Sequence, residues 1–389
     1  MPRSFENISA KNLLQLIPDD KFASIIEDTN VDYQVKKLFG KSMFYLLLYG
    51  LLEGSHTSLR SLEEIFNSSR FKVVFNLLKD VKTKFNSISD RLSTMNVDFF
   101  KGVYELLYKE FSQYYNYKEG IKYNITRVDS TMVTEASNKL KSGMVVGPKG
   151  KDGPKRIKFT VSLTNLFPSS VQIYTEQKFL SEDEAIPQAI RRYIDKSNDN
   201  VFVFDRGVKS RAAFNELDDN DLYFVTRVNP DCRHEIISST SISDLEIGNL
   251  KVNSDQNVLL FDKHDEKSNE FRLIKTIDEE GKLLWFVSNL FEDDVETIIK
   301  IYKKRWDIEV YFRFLKQELN LKHLISTSIN GIQIILYMTM ILSMLILIYK
   351  KANGYGYREA KRKFYYEIDE LFIALVAFIL GGDPNLVFR

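Results

Sequence analysis

VFVFDRG, residues 201–207, is the stretch that decides the fold class of this chain. Its first four residues are all apolar, and an unbroken apolar run of this length predicts a fully buried strand. The strand is expected to end at Asp205. Helical patterns lie on both sides, at residues 181–193 and 210–217, and the first of them opens with an acidic turn that suits a helix N-terminus. The neighbourhood therefore predicts an α/β fold.

The same alternation extends outward in both directions. A short β-like run at residues 123–128 ends at Asp129, and residues 222–228 follow the second helix as a further strand. Additional strands are predicted at residues 159–166, 171–176, 257–261, 271–276 and 283–287. This order predicts a mixed sheet flanked by helices, with sites at the carboxyl ends of its strands.

The ends of the chain are different in character. Residues 6 to about 115 have apolar residues at helical spacing and predict an all-helical N-terminal region. Residues 332–349 (IQIILYMTMILSMLILIY) contain no charged residue, and their length would allow a membrane span. Because charged sequence typical of soluble proteins lies on both sides of these residues, we expect a helix buried inside the protein and not a membrane span. A signal-peptide pattern is not recognisable at the N-terminus, so an intracellular, reducing location is expected.

Composition limits the chemistry. The chain has 389 residues, 44% of them hydrophobic, and a net charge of +1, so any nucleic-acid binding must depend on local patches. One cysteine and four histidines exclude an internal disulfide framework and make thiolate zinc sites implausible. A metal ion would therefore be held by carboxylates, which suit hard cations such as Mg²⁺.

Asp129 and Asp205 share a context, since each is predicted to end an apolar strand. Two such carboxylates on neighbouring strands could hold a pair of divalent cations about 4 Å apart, an arrangement that serves phosphodiester displacement. An aspartate after a strand is also common as a helix N-cap or turn residue. Taken singly, either aspartate fits that ordinary reading.

A long helical pattern from Asp293 to Leu321 adds a third carboxylate. On one continuous helix, Tyr302, Arg305, Glu309 and Lys316 would fall within an arc of about 60°. Such a face combines a metal ligand with cations that grip phosphates. The alternative is a solvated face on which Glu309 pairs with a basic residue at four-residue spacing.

The string around Glu309, IYKKRWDIEVYFRFLKQELNLKHL (residues 301–324), resembles a known signature. Its Tyr302-x2-Arg305-x3-Glu309-x6-Lys316 spacing is similar to the YREK motif of the DDE transposases in the insertion-sequence-four family. VDST around Asp129 and VFVFDRG around Asp205 resemble the first and second acidic motifs. The polar β-like segment before Glu309 resembles the β insertion that this family carries.

The resemblance implies a ribonuclease H-like core with a catalytic triad of Asp129, Asp205 and Glu309 that binds Mg²⁺, with Mn²⁺ as a substitute and two ions expected. It implies hydrolysis at a transposon end, which frees a 3′-hydroxyl, and attack of that hydroxyl on target DNA, with excision through a hairpinned end in relatives. The segments implied are a helical region (1–118), two core parts (119–228 and 283–350), a β-rich insertion (229–282) and a helical tail (351–389).

Several DNA contacts follow from the same resemblance. Tyr302, Arg305 and Lys316 would contact phosphates, and Trp285 is the candidate to hold a flipped base, whereas Trp306 is expected to pack. The N-terminal region would bind terminal inverted repeats, and a homodimer would hold the ends beside target DNA in the bacterial cytoplasm, at the nucleoid. Basic clusters at residues 139–158, including Lys155, Arg156 and Lys158, and at residues 350–363 could follow the DNA backbone or be solvated loops.

Three other functions stay open on the sequence. A ribonuclease H-like nuclease without strand transfer would use the same acids. A non-catalytic DNA-binding relative would keep the fold without the chemistry. A membrane-anchored protein would use residues 332–349 as its anchor.

Overall fold

The computed structural model describes residues 7–15, 17, 19–53, 57–75, 77, 80–113, 115, 122–134, 140, 143–146, 155–194, 199–242, 245–321 and 325–383. The chain divides into two compact units. The sheet unit consists of Tyr117–Val133 and Gly143–Phe312. The helical unit consists of Met1–Asn116, Thr134–Ser142 and Arg313–Arg389.

The helices and the strands of the described residues are numbered separately, each in chain order. The helices are α1 (Ala10–Gln15), α2 (Asp19–Thr29), α3 (Gly40–Glu53), α4 (Leu59–Asn67), α5 (Ser69–Val74), α6 (Phe85–Thr94), α7 (Val97–Ser112), α8 (Glu182–Arg191), α9 (Arg211–Asp219), α10 (Val295–Lys303), α11 (Trp306–Gln317), α12 (Ile329–Asn353) and α13 (Tyr357–Ile379). The strands are β1 (Asn124–Thr134), β2 (Met144–Val145), β3 (Lys155–Thr164), β4 (Phe167–Tyr174), β5 (Asn200–Val203), β6 (Tyr223–Val228), β7 (His234–Thr240), β8 (Glu246–Ile247), β9 (Leu250–Phe261), β10 (Lys267–Asp278) and β11 (Leu283–Ser288).

The sheet unit is built on one large mixed sheet. Its strands lie in the order β2-β3-β1-β5-β6-β11-β10-β9-β7, with β4 on β3 and β8 on β9. The central β1, β5 and β6 are parallel, whereas β11 joins β6 in the antiparallel direction. The predicted mixed sheet with flanking helices is therefore present.

Side-chain alternation gives the central strands two buried faces. On β5, Val201 and Val203 pack into a cluster with residues of α10, and Phe202 packs into another with residues of α8 and α9. Because neighbouring residues of a strand point to opposite faces, an unbroken apolar run such as 201–204 requires cover on both sides. The helices supply that cover, which explains why this stretch predicted the fold class.

The polar β-rich segment extends the main sheet. Its long strands β9 and β10 pair antiparallel, and β10 pairs in the same way with β11, which places Trp285 opposite Val228 of β6. A buried ion pair links β9 to β10, since the Arg272 guanidinium donates to both carboxylate oxygens of Asp255 at 2.8 and 2.7 Å. Arg272 also donates to the carbonyls of Leu290 and Phe291, in the loop before α10.

The helical unit is centred on the apolar helix α12. This helix packs against α3, α6, α7 and α13. Of its most apolar 18-residue stretch, 89% is buried. Its polar side chains are satisfied within the helix, where Thr339 donates to the Ile335 carbonyl and Ser343 to the Met340 carbonyl. By length and composition α12 could cross a membrane, but here it is a core helix, as predicted.

The two compact units differ in their boundaries from the predicted segments. The N-terminal helices α1–α7 belong to one unit with α12 and α13. The sequence had assigned α12 to the core of the sheet-containing part. The physical reason for the difference is packing, because the apolar surface of α12 is covered by helices from both ends of the chain.

Candidate active site

Asp129 lies on β1, and its position in that strand corrects one prediction. The strand does not end at Asp129 but continues to Thr134. Since strand residues two apart share a face, Asp129 lies on the same face as Arg127 and Ile125. Ile125 packs into the cluster that contains α10, so this face of β1 looks toward α10.

Asp205 follows β5, the parallel neighbour of β1. Arg127 is in register with Val203, and two residues further along each chain are Asp129 and Asp205. The two carboxylates therefore come side by side at the same edge of the parallel strands. Burial, followed by the negative charges of Glu182 and Asp205, raises the pKa of Asp129 to about 7, although the Ser130 amide and Arg305 oppose this.

The long predicted helix is interrupted. Tyr302 and Glu309 therefore do not lie on one face of a continuous helix, contrary to the prediction from the sequence pattern. The chain forms α10 and α11 with a turn at Lys304 and Arg305. The backbone hydrogen bonds tighten there to three-residue spacing, from the Arg305 amide to the Tyr302 carbonyl and from the Asp307 amide to the Lys304 carbonyl. Tyr302 thus ends one helix and Glu309 lies in the first turn of the next.

Arg127 holds this turn against β1. Its side chain is fully buried, and its Nε donates to the Lys304 carbonyl at 3.0 Å. One Nη donates to Asp307 at 2.8 Å, and the other donates to the Ile125 carbonyl at 3.0 Å. Because Asp129 is two residues from Arg127, this clamp fixes the start of α11 relative to the strand that carries the first acid. Sequence reasoning missed Arg127, which has no local signal in the sequence.

The signature residues gather around Arg305. Its guanidinium donates to Glu309 at 2.5 Å and lies over the Tyr302 ring. Asp205 and Glu309 both help to raise the pKa of Arg305 against the effect of burial, and Arg305 opposes the raised pKa of Asp129. Arg305 is therefore within electrostatic range of all three predicted acids.

A second arginine, Arg227, lies near Asp205. The sequence pattern did not indicate it as a site residue. The Arg227 guanidinium lies 3.7 Å from the Asp205 carboxylate and over the ring of Tyr302. The Tyr302 hydroxyl donates to Asp205 at 3.4 Å. Burial raises the pKa of the Tyr302 phenol, so this hydroxyl stays a donor at neutral pH.

Glu182 is a further carboxylate near Asp129 that the sequence indicated only as part of an acidic helix start. Its Oε1 accepts from the Lys158 ammonium at 2.9 Å, while its Oε2 is buried without a hydrogen-bond partner. Lys158 is only 1% exposed and also donates to the Leu180 carbonyl. This burial corrects the prediction for Lys158, because an ammonium engaged in the interior does not reach a DNA phosphate.

The other predicted cations are more dispersed. Lys155 and Arg156 are half-buried at the start of β3, and the neighbouring lysines 139, 141, 149 and 151 lie outside the described residues. Lys316 is in the last turn of α11, within the helical unit.

The two tryptophans are placed differently from expectation. Trp285 lies on β11 with the Lys275 ammonium over its ring at 4.7 Å and the edge of His234 against it. Its indole is thus already engaged on one face. Trp306 was expected to pack, but it is 53% exposed at the start of α11, so that prediction was wrong.

The residues fit a divalent metal in chemical type and partly in arrangement. Carboxylate oxygens are the ligands that Mg²⁺ prefers, and Asp129 and Asp205 are adjacent. Among the described residues, however, no three acidic, histidine or cysteine side chains converge closely enough to hold an ion. The third acid, Glu309, is occupied by Arg305.

Comparison with known proteins adds an independent observation. Residues 121–345 match the family described as "Transposase DDE domain". The chain is 28% identical over 322 residues, covering 81% of it and 82% of the relative, to "Putative transposase for insertion sequence element IS4SA" of Synechocystis sp.. It is 26% identical over 205 residues, about half of each chain, to "Probable transposase for insertion sequence element IS5377" of Geobacillus stearothermophilus. The matched range contains all three acids.

Proposed function

The chain belongs to the transposase DDE domain family, and on this premise we propose that it moves an insertion sequence by cut-and-paste transposition. It would cut DNA at the ends of the element and join the freed 3′-hydroxyls to target DNA. The observation that carries the proposal is that Asp129 on β1 and Asp205 after the parallel β5 follow register-matched positions, while Arg305, which donates to Glu309, acts electrostatically on both aspartates.

The acids would hold the metal ions. Asp129 and Asp205 would supply the first carboxylates, and Glu309 would complete the set once released from Arg305. Two bound Mg²⁺ ions, or Mn²⁺ in their place, would activate a water or hydroxyl and stabilise the leaving oxygen.

The basic and phenolic groups would place the DNA. Once released from Glu309, the Arg305 guanidinium can form a bidentate pair with a phosphate, the geometry for which arginine is best suited. Tyr302 limits where Arg305 and Asp205 can move, because it contacts both. Lys316 would add a point charge toward a DNA phosphate. Trp285 stays a weaker candidate for holding a flipped base, since Lys275 covers one face of its ring.

Two finer assignments are part of the proposal. A ribonuclease H-like core is supported by the strand order β4-β3-β1-β5-β6, with Asp129 on β1 and Asp205 just after its parallel neighbour β5, in the middle of the order. Membership of the insertion-sequence-four family is supported by the YREK spacing and by the similarity to the relative named for element IS4SA. The partners would be terminal inverted repeats, target DNA and a second protomer, in the cytoplasm at the nucleoid.

A strand-transfer assay tests the proposal. The full chain is incubated with labelled DNA that carries the element ends, with target plasmid and with Mg²⁺. Wild-type protein should give both cut and joined products, and Glu309→Gln should reduce cleavage more than about 100-fold while DNA binding is retained. Asp129→Asn and Asp205→Asn should behave alike.

Glu296→Gln is the matched control, because Glu296 pairs with Lys300 on α10 at the same four-residue spacing but on an exposed surface. It should leave cleavage unchanged. Cutting without joined products would favour a nuclease without strand transfer. Cleavage by Glu309→Gln within about twofold of wild type would overturn the assignment of this acid.

A further inference from the structure

Two arginines, which we call the counterion pair, neutralise two of the predicted metal-binding acids. The Arg227 guanidinium lies 3.7 Å from the carboxylate of Asp205, and the Arg305 guanidinium donates to Glu309 at 2.5 Å. Both acids are therefore already engaged within the protein, by groups that carry the same sign of charge as a metal ion.

The counterion pair lies over one aromatic ring. The guanidinium carbon of Arg227 is 5.5 Å from the centroid of the Tyr302 ring, and that of Arg305 is 5.9 Å from it. The ring itself is fixed, because Tyr302 is buried and packs edge-to-face against Phe286 at 5.1 Å. Since cations lie favourably over such a ring, neither arginine depends on its acid alone for its position.

The contact between Arg227 and Asp205 is loose. At 3.7 Å the two groups attract each other without a hydrogen bond, and 46% of the Asp205 side chain is exposed, so water screens the attraction. The Arg227 Nε is buried and, within the described part of the chain, has no hydrogen-bond partner. An unpaired buried donor is unfavourable, whereas a phosphate can bind two N–H groups of one guanidinium. An arriving phosphate can therefore replace Asp205 as the partner of Arg227.

Arg227 and a metal ion compete for the same carboxylate. A divalent cation that binds Asp205 is repelled by the guanidinium beside it. A phosphate that pairs with Arg227 cancels this charge and removes the repulsion. By thermodynamic linkage the effect is reciprocal, so a metal ion on Asp205 also leaves Arg227 free for the phosphate.

We propose that Arg227 exchanges Asp205 for a DNA phosphate, so that divalent metal and phosphate bind the site with positive coupling. Arg227 lies on β6, outside the YREK motif. The inference rests on the proposed function in taking Asp205 as a metal ligand and DNA as the substrate. It adds a rule of assembly, under which neither ligand binds tightly until the other is present.

The first test measures metal binding without DNA. Mn²⁺ is titrated into the full chain, and the unbound ion is counted by electron paramagnetic resonance. Arg227→Gln should bind Mn²⁺ about tenfold more tightly than wild type, because the repelling charge is gone. Arg227→Lys keeps the charge and should stay within about threefold of wild type. A residue that only supported the fold would not tighten metal binding when it is replaced.

The second test adds the phosphates. The probe is a pre-cut duplex of about 30 base pairs that carries an element end and a dideoxy 3′ terminus, so that neither cutting nor joining follows. It should raise the Mn²⁺ affinity of wild type about tenfold and that of Arg227→Gln less than about threefold. In EDTA, Asp205→Asn should bind the duplex more tightly than wild type, whereas Arg227→Gln/Asp205→Asn should bind it no more tightly than Arg227→Gln.

The matched control is Arg191→Gln, because Arg191 pairs with Glu216 on the surface of the same unit. It should leave the Mn²⁺ affinity and its response to DNA unchanged, and thermal melting must show that every variant is folded. An Arg227→Gln protein that binds Mn²⁺ no more tightly than wild type, or that gains as much affinity from DNA, would overturn the proposal. A wild type whose Mn²⁺ affinity does not respond to the duplex would overturn it without any variant of Arg227.

Failure here is distinguishable from failure of the proposed function. If Arg227→Gln gains Mn²⁺ affinity while wild type neither cuts nor joins DNA, the competition at Asp205 is supported and the transposase chemistry is not. If Glu309→Gln abolishes cleavage while Arg227→Gln binds Mn²⁺ like wild type, the reverse holds.

Discussion

The carboxyl group of Asp129 has an unusually high pKa. Burial and two neighbouring acids raise its pKa to about 7, whereas an unfolded chain would have the ordinary value near 3.8. A folded state with the higher pKa binds an extra proton between these values, so the contribution of this group to metal-free stability is fully present below about pH 4 and is lost as pH rises to about 7.

This linkage gives a prediction for the apo protein. Between about pH 5 and pH 8, Asp129→Asn should lose the part of the pH dependence of the melting temperature that comes from this group, and it should melt higher than wild type at pH 8. Thermal melts in EDTA measure this. Glu296→Gln is the control and should keep the wild-type slope, and parallel curves for wild type and Asp129→Asn would contradict the prediction.

At the residue scale the sequence supplied the acids but not their surroundings. Asp129 and Asp205 could be chosen because each follows a β-like stretch of sequence, and their adjacency then depends on the parallel register of β1 and β5. Arg227 and Glu182 could not be chosen, because they reach the site only through non-local pairing. Lys158 was chosen wrongly for the same reason, since nothing in a run of lysines indicates which one is buried.

At the element scale the interruption between α10 and α11 is the feature that the sequence concealed. The apolar pattern continues through Lys304 and Arg305, and neither glycine nor proline marks a break. The break is stabilised from outside by Arg127, which binds the Lys304 carbonyl and Asp307. A tertiary contact therefore decides where one helix ends, which periodicity alone cannot show.

The Arg127 clamp can be tested by substitution. Arg127→Met keeps an apolar stem but leaves Asp307 and the Lys304 carbonyl without their buried donor, so unfolding should become easier by about 3 kcal/mol. Cleavage should fall further than the fraction of folded protein explains, because Arg305 and Glu309 follow this turn. Urea unfolding and cleavage rates at a temperature where the variant is folded measure the two effects.

Arg191→Met is the comparison for Arg127→Met. Arg191 forms a bidentate ion pair with Glu216, but on the surface of the same unit, where such a pair contributes about 1 kcal/mol or less. If the two variants lost equal stability, or if Arg127→Met cut DNA at the wild-type rate, the clamp would not position the site.

The β-rich extension depends on its own buried ion pair. Asp255→Ala leaves the Arg272 guanidinium buried without its carboxylate and should cost about 3 to 5 kcal/mol of unfolding free energy. Glu235→Ala removes the partner of Lys267 in an exposed pair of the same segment and should cost about 1 kcal/mol or less. Chemical denaturation measures both, and similar losses would show that Asp255 and Arg272 are less buried in solution than in this structure.

At the scale of the whole molecule, global charge is a poor guide to function here. A net charge of +1 over 389 residues conceals a local group of lysines, Lys36, Lys37, Lys82 and Lys84, which line one surface cavity but come from two separate stretches of sequence. The division into units is equally hidden, because α12 and α13 join helices that precede them by more than two hundred residues. Composition predicted that a large core exists, but packing decides which segments share it.

Helix α12 allows the last prediction, which separates a core helix from a membrane helix. Leu345 is fully buried in α12, so Leu345→Ala should remove apolar contacts and cost about 2 to 5 kcal/mol in urea unfolding of the soluble chain. Leu375→Ala on the exposed side of α13 makes the same chemical change and should cost less than about 1 kcal/mol. In a membrane, lipid would cover Leu345 as well as protein does, and the difference between the two variants would shrink. Equal midpoints, together with recovery of the chain in carbonate-washed membranes, would therefore show that α12 spans a bilayer.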